Sequence, residues 1–590
     1  MSMSVRQEPP LFVLNDFTIL LETQHPEFET VRLTLSRFAD LVKSPVQLHT
    51  YRMTPLSLWN AMSCGMKPGE MIDFLTEYGK FGVPASVRAE LLQLTDRYGL
   101  LHLEEEGGRL LLVSKSPALL NELRGYSSLT AWLGERLDPR TALVPSHARG
   151  LLKQELLKLG YPVEDQAGFH VGESLPIRLQ PDREGRARFE LRDYQREAVD
   201  AFYRSEDGQG GSGVLLLPCG AGKTVVGIAA MSRLQCATLI LTSNVASVRQ
   251  WKREILDKTD LGEDQVGEYD GATKEVRPVT IATYQILTHR KSKDDPFGHM
   301  QLFNERDWGL IVYDEVHLLP APIFRVTADI QATRRLGLTA TLIREDGCEK
   351  EVFSLIGPKR YEVPWKQLER QGWIATVRCR ELLVRLNDKD GRQYREAAAR
   401  QQLRIAAENP GKADAVLLLL ERHAGQPTLI IGQYLKQLEE LARRTGAPLI
   451  TGATPHEQRE EWYQKFREGT ITLLVVSKVA NFAIDLPDAA VAIQVSGSFG
   501  SRQEEAQRLG RILRPKRAGG EAYFYSLVSE GTREQDFSFH RQLFLVEQGY
   551  EYQVEELDAR DMTGAAGQPD KNGGRFASAP SMPVREEEKR

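Results

Sequence analysis

The segment VLLLPCGAGKT (Val214–Thr224) runs from an apolar stretch through small residues into a helix-forming sequence, VVGIAAM. Few local patterns restrict a fold more. A strand must deliver the chain to a tight turn through Gly220, Ala221 and Gly222, and a helix must begin at once. Small residues let backbone N–H groups approach an anion closely, and a helix N-terminus favours negative charge. The run reads as a phosphate loop, with Lys223 placed for the β- and γ-phosphates and the Thr224 hydroxyl for Mg²⁺. The strict pattern has a glycine where this chain carries Leu217, so the match is incomplete.

The flanking sequence extends this constraint. From about residue 187 to 360, the apolar strands VLLLP, ATLILTS, VTIATY, LIVYDE and RLGLTAT alternate with helical stretches. The alternation returns from about 411 to 530 with TLIIG, APLITG, ITLLVVS, AAVAIQV and AYFYSLV. Both halves predict parallel sheets covered on both faces, so the chain is α/β with two such domains in tandem. With 590 residues it is too long for one hydrophobic core. A net charge of −5 excludes a protein that coats nucleic acid non-specifically, so any such contact must come from local lysines and arginines. Five scattered cysteines without a CxxC pair fit reduced thiols and point to no zinc site. The absence of a long apolar run or secretory pattern gives no membrane role, and the bulk reading is a cytoplasmic multidomain enzyme.

Two further segments complete a nucleotide site. In DWGLIVYDEVHLLP, Asp314 and Glu315 fall at the C-terminal end of an apolar strand, where parallel sheets place their ligands. Asp314 would complete the magnesium sphere and Glu315 would orient and deprotonate an attacking water. His317, two residues on, is suited to link nucleotide to nucleic acid. About 290 residues beyond the phosphate loop, QRLGRILR places Gln507, Arg511 and Arg514 on one helix face. Arg511 and Arg514 read as fingers that meet the γ-phosphoryl charge from a second domain. A site split this way lets ATP binding close a cleft and hydrolysis open it.

Residues 1–125 read as a winged-helix-like module: a hairpin in LFVLNDFTILLE, helices in TPLSLWNAMSCG, KPGEMIDFLTEYGK and ASVRAELLQLTDRYG, and a second hairpin in LLHLEEEGGRLLLVS. A separate small unit spans 138–186, with TALVPS and LPIRL as strands around the helix HARGLLKQELLKLGY. Residues 561–590 have a disordered composition.

The motif series LRDYQ, LPCGAGKT, LILTSN, IATYQ, YDEVH, LTAT, IIGQY, VVSKVANFAIDLP and QRLGRILR resembles the superfamily 2 helicases. YDEVH and GLTATLIRED narrow the resemblance to the XPB-type DNA helicases, the DExH enzymes that open duplexes in repair and transcription. The resemblance implies two RecA-like motor domains, 187–363 and 364–560, behind small α+β N-terminal domains. It implies that Arg192 and Gln195 hold the nucleotide, Gln195 by an amide contact to adenine, and that Asp485 meets the ribose or Arg511. Thr339 and Thr341 would couple the ATP state to domain movement. Ser243 and Thr283 would hold strand phosphates. Arg344, Glu345 and Asp346 would act as a strand-separating wedge. A thumb-like insertion near 391–412 would grip the backbone through Arg392, Arg395, Arg400 and Arg404.

The expected activity is ATP- and Mg²⁺-dependent 3′→5′ DNA unwinding, with the polarity taken from the family. Two alternatives stay open: a double-strand translocase serving a nuclease or restriction assembly, and an ATP-switched clamp on DNA. The resemblance also implies a partner nuclease or repair factor docking on the N- or C-terminal domains.

Overall fold

The structure is a computed structural model. It describes residues 8–44, 47–180, 189–203, 210–290, 292, 295, 297–331, 333–341, 349–477, 489–497, 521–550 and 552–557.

Two seven-stranded sheets form its centre, and every strand pairing within them is parallel. Across the first sheet the strands run Val266–Tyr269, Val279–Thr283, Thr238–Thr242, Leu310–Asp314, Arg334–Thr339, Ser212–Leu216 and Lys359–Glu362. Across the second they run Leu449–Ile450, Leu473–Ser477, Thr428–Gly432, Val491–Gln494, Ala522–Ser529, Val377–Val384 and Tyr552–Leu557. Counted in chain order within each sheet, both follow 3-4-2-5-6-1-7. The near-continuous burial of strands such as Thr238–Thr242 and Thr428–Gly432 reflects helices on both faces. These are the tandem RecA-like sheets that the alternation and the resemblance predict.

Two small sheets precede them. Leu11–Val13, Thr18–Glu22, Leu48–Arg52 and Asp40–Lys43 form an antiparallel sheet packed by helices Phe28–Leu35, Pro55–Ser63, Pro68–Tyr78 and Ala85–Asp96. The second hairpin, Leu101–Glu106 with Arg109–Ser114, does not join this sheet. It pairs instead with Thr141–Val144 and Val163–Asp165. The grouping of this hairpin with residues 1–125 is thereby corrected. Its apolar face, Leu103 and Leu112, is completed by Leu152 and Leu156 of the following helix Arg149–Lys158. LPIRL is not a strand either: it makes one isolated bridge, at Leu179, with another at the preceding Ser174, while Leu175 and Ile177 pack into the core of the first large sheet.

The first small unit touches both large sheets. Asn60 Oδ1 accepts the Lys359 N–H (3.1 Å) and Ser63 Oγ donates to the Lys359 carbonyl (2.9 Å) on the edge strand of the first sheet. Arg32 donates to the Glu547 carbonyl (2.6 Å) at the end of helix Arg533–Glu547, and Leu543 of that helix enters the same core as Val31, Leu35 and Leu58. Among the described residues, no helix is long and apolar enough to cross a membrane.

Candidate active site

Strand Ser212–Leu216 delivers the chain to the phosphate loop at its C-terminal end. Leu217 is fully buried, and its N–H donates to the Thr339 carbonyl (3.0 Å). The position where the strict pattern has glycine thus prolongs the strand pairing, and the departure leaves the turn itself untouched. Gly220 and Gly222 are left-handed (φ 82° and 81°), and a Cβ on Gly222 would come within 2.7 Å of Gln195 Nε2. Helix Lys223–Leu234 then starts with its N-terminus at the loop.

Lys223 Nζ lies 3.0 Å from Glu315 Oε1 and 4.0 Å from Cys219 Sγ. Asp314 and Glu315 leave the C-terminal end of strand Leu310–Asp314, two places from the phosphate-loop strand. Glu315 adopts a left-handed backbone (φ 50°), a conformation that non-glycine residues keep mainly where a side chain must be aimed. Burial and the neighbouring Glu315 charge push the Asp314 carboxyl above its ordinary range. Burial alone would lower Lys223, but Cys219, Glu315 and Asp314 together hold it above its usual value. Both shifts report two carboxylates crowded around one lysine. A divalent cation at Asp314 would relieve that excess of negative charge, and the loop's helix N-terminus with Lys223 would receive polyphosphate, so this donor set fits a metal–nucleotide complex.

A chain of contacts leads away from this centre. His317 is buried, with Nδ1 3.4 Å from Glu315 Oε2 and 2.8 Å from Thr339 Oγ1. Thr339 Oγ1 donates to the Thr341 carbonyl (2.7 Å), which makes His317 Nδ1–H the donor to Thr339. The Thr341 N–H returns to the same hydroxyl (3.2 Å). Lys223, Glu315, His317, Thr339 and Thr341 are therefore connected without a break.

On the other side of the loop, Gln195 accepts from the Arg192 N–H (3.0 Å) and donates to the Ala221 carbonyl (3.0 Å). Tyr194 donates to the same carbonyl (2.7 Å), and Arg192 sits 4.3 Å above the Trp373 ring. Phe189, Gln195, Gly220, Gly222, Val225 and Lys258 help line a cavity of about 300 Å³ beside the loop, at the small end of the range for ligand pockets. Ser243 is partly exposed beside Asn244, which caps helix Val245–Lys258. Thr283 is buried, and its hydroxyl accepts the Ile286 N–H (3.2 Å) to cap the short helix Tyr284–Leu287, an arrangement that leaves its own O–H proton to donate.

Arg392, Arg395, Arg400 and Arg404 are all exposed on the helix pair Asp388–Glu396 and Ala399–Ala407. Arg344, Glu345, Asp346, Asp485, Gln507, Arg511 and Arg514 lie outside the described residues. The sequence reading missed Trp251 and Tyr284, which contact Asp314, and Trp373, which covers Arg192. Trp251 sits at an apolar position of a long helix and reads as ordinary core, while Tyr284 and Trp373 stand in short connecting segments where no local signal marks them as part of a site.

A phosphate loop, a strand-end Asp–Glu pair and a second sheet of identical topology define a nucleotide-driven motor of the helicase class. The ERCC3/RAD25/XPB C-terminal helicase model matches residues 368–566, and the type III restriction enzyme res-subunit model matches 188–344. A helicase conserved C-terminal domain model matches 11–138. A protein of Kineococcus radiotolerans named DNA 3'-5' helicase XPB is 52% identical over 96% of this chain and 99% of its own length. Its namesake in Mycobacterium tuberculosis is 50% identical over 94% and 99%. The Halobacterium salinarum protein named putative DNA 3'-5' helicase Rad25 is 40% identical over 69% and 64%. The chain belongs to the XPB family of DNA helicases.

Proposed function

We propose that the chain is an ATP-dependent DNA helicase that moves 3′→5′ and opens duplexes in DNA repair. The observation that carries this reading is the unbroken contact series from Lys223 through Glu315, His317 and Thr339 to Thr341. It joins the γ-phosphate position to the segment that leads straight into Arg344, Glu345 and Asp346, the proposed wedge. Lys223 would hold the β- and γ-phosphates, and Glu315, released from Lys223 when phosphate arrives, would orient the attacking water. Mg²⁺, held by Thr224 and Asp314, would neutralise charge developing on the transferred phosphoryl group. His317 would report the loss of Glu315's ion pair to Thr339 and Thr341. Arg511 and Arg514 would complete the site from the second sheet, with Gln507 beside them and Asp485 at the ribose. Arg192 and Gln195 would frame the adenine. Ser243 and the four exposed arginines of the helix pair would meet the DNA backbone. Action on the chromosome would place the protein in the cytoplasm, with a nuclease or repair factor as its partner.

Strand displacement on forked DNA of both polarities, with and without ATP, tests the reading. Release confined to the 3′-tailed substrate and lost in Glu315→Gln is expected. DNA-stimulated hydrolysis without strand release would favour a translocase or clamp. Arg344→Ala with Glu345→Ala is expected to keep stimulated hydrolysis and lose release; loss of both would remove the wedge role.

A further inference from the structure

Two aromatic side chains converge on Asp314 from the two loops read as DNA contacts. Trp251 Nε1–H donates to Asp314 Oδ2 (2.9 Å), and Tyr284 OH donates to the Asp314 backbone carbonyl (2.8 Å). Trp251 lies two turns into helix Val245–Lys258, whose cap Asn244 follows Ser243 directly. Tyr284 follows Thr283, and its neighbour Gln285 donates to the Ser243 carbonyl, which ties the two loops together. The indole is fully enclosed. It presses on the phosphate-loop helix at Gly227, where an added Cβ would meet its ring at 2.4 Å. No slack separates the Ser243 loop from the Asp314 carboxylate: a rigid helix carries the indole, and glycine is the residue that admits it.

We propose that Trp251, seconded by Tyr284, is the positioning residue through which DNA at the Ser243 loop sets the Asp314 carboxylate for the metal–nucleotide complex. The inference rests on the helicase reading and deepens it, by naming the route by which DNA stimulates hydrolysis. Hydrogen bonds that orient a metal-holding carboxylate change metal affinity or activity by about 10- to 100-fold when removed.

Trp251→Phe keeps a ring against Gly227 and deletes the N–H. The full-length variant is compared with wild type in three ways: Mn²⁺ binding to the ADP-loaded protein by electron paramagnetic resonance, ATP turnover against Mg²⁺ concentration with and without single-stranded DNA, and DNA affinity without nucleotide. Mn²⁺ affinity and the DNA stimulation factor are expected to fall about tenfold. The KM for ATP at saturating Mg²⁺ and the DNA affinity are expected to stay within about twofold. Wild-type Mn²⁺ affinity and stimulation would overturn the proposal, as would an equal loss in all four quantities, which marks a merely structural residue. If Trp251→Phe does not fold, Tyr284→Phe is measured in its place: loss of DNA stimulation supports the route and full stimulation overturns it. Wild-type protein whose hydrolysis ignores DNA would instead overturn the helicase reading itself.

Discussion

The two large sheets share one strand order, and each sets a lysine against a glutamate at an equivalent place. Lys223 opens the helix before the second strand of its sheet, and Lys412 stands at the second position of the matching helix, Gly411–Arg422. Each points to the C-terminal end of its sheet's fifth strand: Lys223 to Glu315, Lys412 to the Val495 carbonyl (3.0 Å). The difference is in what completes them. Lys412 is wholly enclosed, with both Glu534 oxygens at 2.7–2.8 Å, and the Ser529 N–H closes on the same carboxylate. The Lys223–Glu315 pair keeps 11% and 18% of its side-chain surface open. One fold thus uses the same position twice, once filled by its own chain and once left for a ligand. Between the first strand and that helix, the first sheet has the phosphate loop, where the second has the arginine-bearing helix pair.

Exchanging the roles of these positions tests the contrast. Lys223→Ala should lower ATP turnover at least about 1,000-fold, as expected when charge stabilisation at a transferring phosphoryl group is removed. Its unfolding midpoint in urea should fall by less than that of Lys412→Met, because the Lys223–Glu315 pair is partly open to solvent; an equal fall would mean that this pair, too, is structural. Lys412→Met strands Glu534 and should cost about 3–5 kcal/mol in denaturant titration, without changing the KM for ATP in the folded protein. Replacing Arg392, Arg395, Arg400 and Arg404 by glutamine should flatten the salt dependence of single-strand DNA binding by about 0.7 in log–log slope per lost phosphate contact. An unchanged slope would remove the helix pair from the DNA path.

The smallest effect is in pH. Burial lowers the pKa of Lys412 despite Glu534, so in the window between its folded value and about 10.5 the unfolded chain binds more protons. Stability of wild type relative to Lys412→Met should therefore rise as pH increases through that window. For Lys223 the sign is opposite. Its pKa is raised, so its contribution is complete below about 10.5 and is lost only as pH climbs past it.

Strands buried on both faces were legible because they read as unbroken apolar runs, Thr238–Thr242 and Thr428–Gly432 among them. Of the edge strands, Leu449–Ile450 was read within APLITG, but the two that close the sheets on the other side were not. Lys359–Glu362 (KRYE) and Tyr552–Leu557 (YQVEEL) are half-exposed and carry no such run. The hairpin at Leu101–Ser114 was read as a hairpin, but its sheet partners lie beyond residue 140, and pairing across sequence leaves no local mark. In the site, Asp314 and Glu315 were readable because charged groups at a strand end break the apolar pattern, and Lys223 because it follows the small-residue turn at Gly220–Gly222. Trp251 was not, because an indole N–H is invisible in a helix whose spacing calls for an apolar residue there.

The contacts at Lys359 and Glu547 give the first small unit a mechanical property. Arg32 and Asn60 stand on helices that share one close-packed core with Leu543, so the span between them is fixed by that core's own dimensions. The unit works as a calliper with one jaw on each large sheet. Any change in the spacing of the sheets must prise a jaw loose or load the core between them. The strength of that small core therefore sets a limit on how far the sheets separate before Arg32 lets go of its carbonyl.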